Sequence, residues 1–212
     1  GRANVNLGQA VRAGMVVSAG AEQGTAMARF ASPAVGARGM GYVAASGYPR
    51  LLFRNGSILV APVESADESV VRLGGSWSGT MVSVVNLARI DFVPLTPDLE
   101  SHLDPDRRGV LLVEGDYLDG SLRSVVTNTV TMSSLLFGFR KFSVGSEAGL
   151  VQVGGVEPED GGYRVLLRNG SDLRAHRLET GNGWVRVEAP LLGALVIREE
   201  WIRQVLRTGT EG

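Results

Sequence analysis

Two histidines, a scatter of carboxylates and no cysteine are the groups this chain offers for catalysis or metal binding. His102 lies in a Pro-rich stretch and His176 in a predicted strand near the C-terminus. Neither belongs to an H-x-x-x-H or H-E-x-x-H spacing, which would turn paired side chains toward one metal. Both read as exposed polar residues. Asp116 and Asp119, around Gly115, Tyr117 and Gly120, faintly resemble a calcium loop but lack its twelve-residue pattern and terminal Glu. Asp67 and Glu68, Glu157 to Asp160, and Glu199 and Glu200 fall in turns and linkers, where solvation accounts for them. No pair can be nominated to face each other across a glycosidase cleft. Gly75-Ser76-Trp77-Ser78-Gly79 lacks the strand-to-helix setting of a nucleophile elbow. Gly36-Ala37-Arg38-Gly39-Met40-Gly41 is not followed by the Gly-Lys-Ser/Thr of a phosphate loop. Without cysteine there is no disulfide, thiolate metal site or thiol nucleophile. The expectation is a non-catalytic protein with no metal and no cofactor.

Aromatic recognition is the remaining chemistry. Trp184 opens a strand and Trp201 lies in a closing element, so both read as core. Trp77, between Gly and Ser, reads as the exposed tryptophan, able to stack on a sugar ring or fill a partner's pocket.

The elements that would carry these residues come in three copies. Leu51-Leu52-Phe53-Arg54-Asn55-Gly56-Ser57-Ile58-Leu59 aligns with Val110 to Leu118 and with Val165 to Leu173, superimposing Gly56, Gly115 and Gly170. Without a gap, Gly79, Gly138 and Gly193 superimpose too. Two anchors keeping one spacing in three copies mark a tandem repeat of roughly 55–60 residues. Asn55-Gly56 and Asn169-Gly170 are type I′ hairpin signals, since both residues tolerate positive φ. A strand then returns, over 57–63, 116–125 and 171–178. A polar turn follows, and then a period-two strand in which Val71 and Leu73, Val130 and Met132, and Val185 and Val187 alternate with Arg72, Thr131 and Arg186. One further β-rich strand follows each later glycine, and a short apolar element closes each copy. Five short strands in about 50 residues predict a small, strongly bent barrel.

The fold class is therefore all-β: three tandem small SH3-like or Sm-like β-barrel repeats behind a Gly/Ala-rich apolar N-terminal arm. The divisions are an arm at 1–48, repeats at 49–93, 108–154 and 162–207, a Pro-rich linker at 94–107, an acidic linker at 155–161 and a tail at 208–212. Pro94, Pro97 and Pro105 exclude a central strand from the first linker, where 99–103 suits one helical turn capped by Asp98. The arm is almost uncharged and carries apolar residues such as Met15, Val16, Val17, Met27 and Phe30. It suits either extra strands on the first barrel or strand addition to a neighbouring subunit.

The L-L-x-N-G-S-x-L opening, the closing apolar elements and above all Leu135-Leu136-Phe137-Gly138-Phe139-Arg140 resemble small β repeats in large exported proteins of planctomycete-type bacteria. The resemblance covers about residues 49–207, brings no catalytic residues, and implies an exported setting with a surface or interaction role. The opening also resembles the first Sm motif. Sm-like proteins bind RNA through basic loop residues at repeated positions, and those positions differ between the copies here.

Composition narrows the partners. Hydrophobic residues make up 44% of the 212 residues and charged residues 20%, a globular balance. Net charge is −1 and Lys141 is the only lysine, so no general field draws the chain to nucleic acid or to an anionic membrane. No run of 18 apolar residues predicts a membrane span. The chain starts at Gly1 without a leader, which favours a mature extracellular or cell-surface protein. The function expected is that of a self-assembling structural subunit, a homo-oligomer or homopolymer joined by the arm. The alternative is a glycan-binding or adhesive module.

Overall fold

The computed structural model describes residues 47–101, 103–159 and 161–208. The arm residues Met15, Val16, Val17, Met27 and Phe30, together with His102 and Asp160, lie outside the described residues. What is described is all-β. Segment one holds β1 (Arg50–Phe53), β2 (Ile58–Val60), β3 (Val63–Asp67), β4 (Val70–Leu73), β5 (Met81–Ser83) and β6 (Leu87–Asp91). Segment two holds β7 (Gly109–Leu112), β8 (Tyr117–Asp119), β9 (Ser121–Val126), β10 (Thr129–Ser134), β11 (Gly138–Ser143) and β12 (Ala148–Gln152). Segment three holds β13 (Tyr163–Leu167), β14 (Asp172–Ala175), β15 (Arg177–Thr180), β16 (Trp184–Ala189), β17 (Gly193–Arg198) and β18 (Ile202–Arg207).

The pairing recurs from segment to segment. In each, the first strand lies between the second and the sixth, all antiparallel. The third, fourth and fifth strands form a separate meander. Each segment has six strands rather than the five expected, because the return strand breaks and its second half leaves for the other sheet. In segment one the break is Ala61-Pro62, and Pro62 has no N–H to give the ladder. In segment two it is Gly120, where a Cβ would sit 2.7 Å from the Ser133 carbonyl oxygen, so only glycine lets the strands cross. The polar turn expected after residue 63 is accordingly mostly strand, since β3 runs on to Asp67.

The first hairpins are also not type I′ turns. Gly56 N–H donates to the Phe53 carbonyl at 3.0 Å and Phe53 N–H to the Ser57 carbonyl at 2.9 Å. Gly56, Gly115 and Gly170 have φ of +85°, +99° and +93°, while Asn55 and Asn169 are not left-handed. This is a type I turn closed by a left-handed glycine bulge. The Asn side chains act differently: Asn55 Oδ1 and Asn169 Oδ1 accept the N–H of Ser57 and Ser171, each at 3.0 Å. Positive φ at two successive residues occurs instead at Thr127 and Asn128, between β9 and β10. Gly79, Gly138 and Gly193, the second set of anchors, are likewise left-handed.

The alternation expected of the fourth strands is present. Val71, Leu73, Val130, Met132, Val185 and Val187 are buried, and Arg72, Thr131 and Arg186 are not. Leu51, Phe53, Leu59, Leu87 and Ile90 complete the core of segment one.

The described residues between 47 and 158 make one compact unit, because segments one and two share two ladders. β6 pairs with β12, setting Ile90 opposite Val151, and β3 pairs with β9, setting Ala66 opposite Val125. Strand order within this unit is β2-β1-β6-β12-β7-β8 in one sheet and β11-β10-β9-β3-β4-β5 in the other. The Pro-rich linker therefore joins two segments that are hydrogen-bonded to each other rather than two free barrels. Among the described residues neither sheet closes on itself. The linker helix α1 runs Pro97–Ser101. Its cap is Thr96, whose Oγ1 accepts the Leu99 N–H at 3.3 Å, and not Asp98. Proline at the first helical position fits, since its missing N–H would be unpaired there anyway. Residues 159–208 belong to a second compact unit, with order β18-β13-β14 and β15-β16-β17 and β14 packed on β16.

Candidate functional site

Buried carboxylates are where proton chemistry would reside. Asp91 ends β6 and is 3% exposed. Arg50 is its register partner on β1, and Arg89 Nε lies 2.9 Å from Asp91 Oδ1, a close ion pair bent away from ideal hydrogen-bond geometry. Glu100 on α1 reaches the other side of Arg89 at 3.5 Å. Burial pushes the Asp91 carboxyl above its ordinary range, against the pull of Arg89 and Arg50. Burial also lowers Arg50, with Asp91 opposing. Two cations and two anions thus form a neutral cluster that ties β1, β6 and α1 together.

Next to it is a shallow open pocket of about 150 Å³, lined by Leu52, Ala88, Arg89, Leu103, Pro105 and Gln152 among others. Gln152 is buried and its Nε2 donates to the Asp104 carbonyl at 2.6 Å. The walls are mainly aliphatic, and Arg89 is already engaged by Asp91 and Glu100. Nothing in this arrangement pairs an acid with a base across a substrate-sized cleft.

Other carboxylates have local duties. Asp119 receives Arg107 through two hydrogen bonds of 2.9 and 2.7 Å, which hold its pKa below the ordinary value. The Arg107 guanidinium lies 4.2 Å over the Tyr117 ring, and burial pushes the Tyr117 hydroxyl up to about 12. Of the two carboxylates considered for a calcium loop, Asp119 is therefore held by a cation. Asp67 caps the β3–β4 turn, accepting from Ser69 N–H at 2.8 Å, Ser69 Oγ at 2.7 Å and Val70 N–H at 2.9 Å. Glu68 pairs with Arg123, and Asp172 with Arg164. His176 is exposed, with its backbone N–H bonded to the Glu188 carbonyl. Among the described residues no three His, Asp or Glu side chains gather as a metal site, and no helix is long and apolar enough to cross a membrane.

The tryptophans reverse their expected order. Trp77 is half-buried in a 3-10 turn over Gly75–Trp77, whereas Trp184 and Trp201 are each 39% exposed. Trp184 occupies an outward position of β16, and its indole lies across the backbone of Gly181 in its own hairpin.

The largest departure from ordinary burial is the β10–β11 hairpin. Ser134 faces Gly138, and Leu135-Leu136-Phe137 form the tip. Relative exposures are 105% for Leu135, 85% for Leu136, 54% for Phe137 and 70% for Phe139. No residue of β11 is buried. Arg140 lies 5.6 Å from the Phe137 ring and Arg123 5.8 Å from the Phe139 ring. At the equivalent tip of segment three, Leu191 and Leu192 are half-buried. Apolar residues at a tip where turn chemistry expects polar ones are a legible signal of exposure. In the sequence this stretch stands out only for its resemblance, and the contact is expected at Trp77.

No protein-family model matches this chain, and neither a curated protein nor a solved structure does.

Proposed function

We propose that this chain is a non-catalytic structural protein that assembles with copies of itself in an extracellular or cell-surface setting, with residues 1–48 as the joining arm. The observation that carries this reading is how segments one and two are joined, edge to edge through the β6–β12 and β3–β9 ladders. A repeat that associates with its neighbour by strand pairing within a chain has the means to do so between chains. We read the three segments as SH3-like units opened at the second strand so that their edges reach the next copy. The recurring six-strand pairing supports that reading, and the resemblance to exported repeat proteins supports the setting.

The six-stranded sheet ends on β11 and β5. β11 carries Arg140 and Lys141, and cations on an edge oppose pairing. β5 presents exposed Met81, with exposed Val85 beyond it, and is the acceptor edge. An apolar arm strand seated there in a head-to-tail contact would extend the array. Size-exclusion chromatography and negative-stain microscopy of the whole chain beside one lacking residues 1–30 test the proposal. Assembly of the whole chain and its loss on truncation are expected. A whole chain that stays monomeric at high concentration overturns it, and a truncated chain that still assembles removes the arm as the joint.

A further inference from the structure

We propose that the β10–β11 hairpin is a docking element for an anionic phospholipid bilayer surface, separate from the assembly edge. The chain as a whole is nearly neutral, yet residues 120–146 contain no carboxylate and three cations, Arg123, Arg140 and Lys141. The only lysine of the chain stands here. This stretch is the β9–β10–β11 meander, and its tip is the most exposed apolar group among the described residues.

Geometry sets the two features at different depths. Leu135, Leu136 and Phe137 are consecutive residues of a turn, so they project in several directions rather than along one sheet face. A protein groove matches one face, whereas the acyl boundary of a bilayer accepts apolar groups from all sides. The Arg140 backbone follows Phe137 by three positions, roughly 10 Å at the rise of a strand, and its guanidinium reaches forward to 5.6 Å from the Phe137 ring. Lys141 is next to it, and successive strand residues point to opposite faces, so the two cations flank the hairpin on both sides. An apolar element inserted about 5–10 Å into the headgroup boundary would bring both ammonium and guanidinium to the phosphate layer. Glu68 is paired with Arg123, and Glu147, at the base of the hairpin, accepts the Ser143 N–H at 2.7 Å, so neither carboxylate stands at the tip. The edge cations that oppose pairing with a second copy are favourable against anionic lipid.

Sedimentation of the full chain with phosphatidylcholine vesicles, with and without phosphatidylglycerol, is the test. Binding is expected to the phosphatidylglycerol vesicles and to fall with added salt. Leu135→Ser with Leu136→Ser should weaken it about tenfold or more, since each leucine loses the transfer of a buried side chain. Arg140→Gln with Lys141→Gln should weaken it about fivefold per charge on anionic vesicles only. All of these side chains are exposed, and circular dichroism of each variant is expected to match the parent. The chain lacking residues 1–30 should bind vesicles as the whole chain does, which separates this proposal from assembly through the arm. Failure of the whole chain to sediment with either vesicle overturns the proposal, as does binding that neither double variant alters. If the Leu135/Leu136 variant instead changes the oligomeric state without vesicles and leaves sedimentation unaltered, the tip is a contact between copies and the lipid reading falls.

Discussion

Removing the Asp91 carboxylate isolates the balance that holds β1, β6 and α1 together. Asp91→Ala leaves Arg50 and Arg89 facing each other with Glu100 as their remaining counter-charge. Unit charges about 4 Å apart attract by about 4 kcal/mol at an effective dielectric near 20. Breaking a buried pair by removing one partner costs about 3–5 kcal/mol. Arg89 keeps 17% of its side chain in solvent, so the cation recovers part of this by rehydration. The expected loss is therefore at the lower end, about 3 kcal/mol. With a urea slope of about 1–3 kcal/mol per molar, that moves the unfolding midpoint down by at least about 1 M. A second variant, Arg89→Met with Asp91→Leu, removes one charge of each sign and should lose less than Asp91→Ala, because Arg50 then keeps Glu100 as its counter-charge instead of facing a second cation. The pH dependence has a definite sign. Burial raises the folded-state pKa of Asp91 above its unfolded value. Its protonated form is then favoured by folding, a contribution fully present below about pH 4 and lost as pH rises through the folded pKa. Relative to Asp91→Asn, the parent should thus lose stability between acid and neutral pH. Urea melts at several pH values measure both quantities. An Asp91→Ala loss below about 0.5 kcal/mol, or a parent that gains on Asp91→Asn as pH rises, would refute the reasoning.

Two further predictions concern single sites. Gly120→Ala should destabilise the unit formed by segments one and two by about 1–3 kcal/mol, because the new methyl meets the Ser133 backbone, which cannot move aside like a side-chain end; thermal unfolding checks it. The Tyr117 phenol should ionise near 12 rather than near 10 in an ultraviolet pH titration, with Tyr117→Phe removing that step. Since burial favours the neutral phenol, stability from this group should fall as pH rises from about 10 through that value, and a Tyr117 that titrates with the exposed tyrosines sinks this account.

Periodicity reports what is local. Val71 and Leu73, with their counterparts in the other copies, could be assigned to a buried face because alternation depends on nothing but the pleat. The paired glycine anchors could be found because a left-handed turn admits few residues whatever surrounds it. The turn at Asn55-Gly56 differs from the type I′ expectation. Asn-Gly suits two turn families, and which one forms is settled by the hydrogen bonds of the flanking strands, as at Phe53 and Ser57.

What only the tertiary structure decided is every relation between distant residues. The break of the return strand at Pro62 and Gly120 becomes a corner only when another sheet is there to receive the second half. The β6–β12 and β3–β9 ladders join segments that looked separable, and backbone hydrogen bonds carry no residue code to announce them. Trp184 reads as internal because it opens a strand, and its exposure follows from an outward register position on β16. The tip at Leu135 to Phe139 was visible as an apolar run, yet its meaning depended on whether any strand would cover it. None does among the described residues, because β11 ends its sheet, and a strand at an edge lacks the neighbour that would bury its side chains.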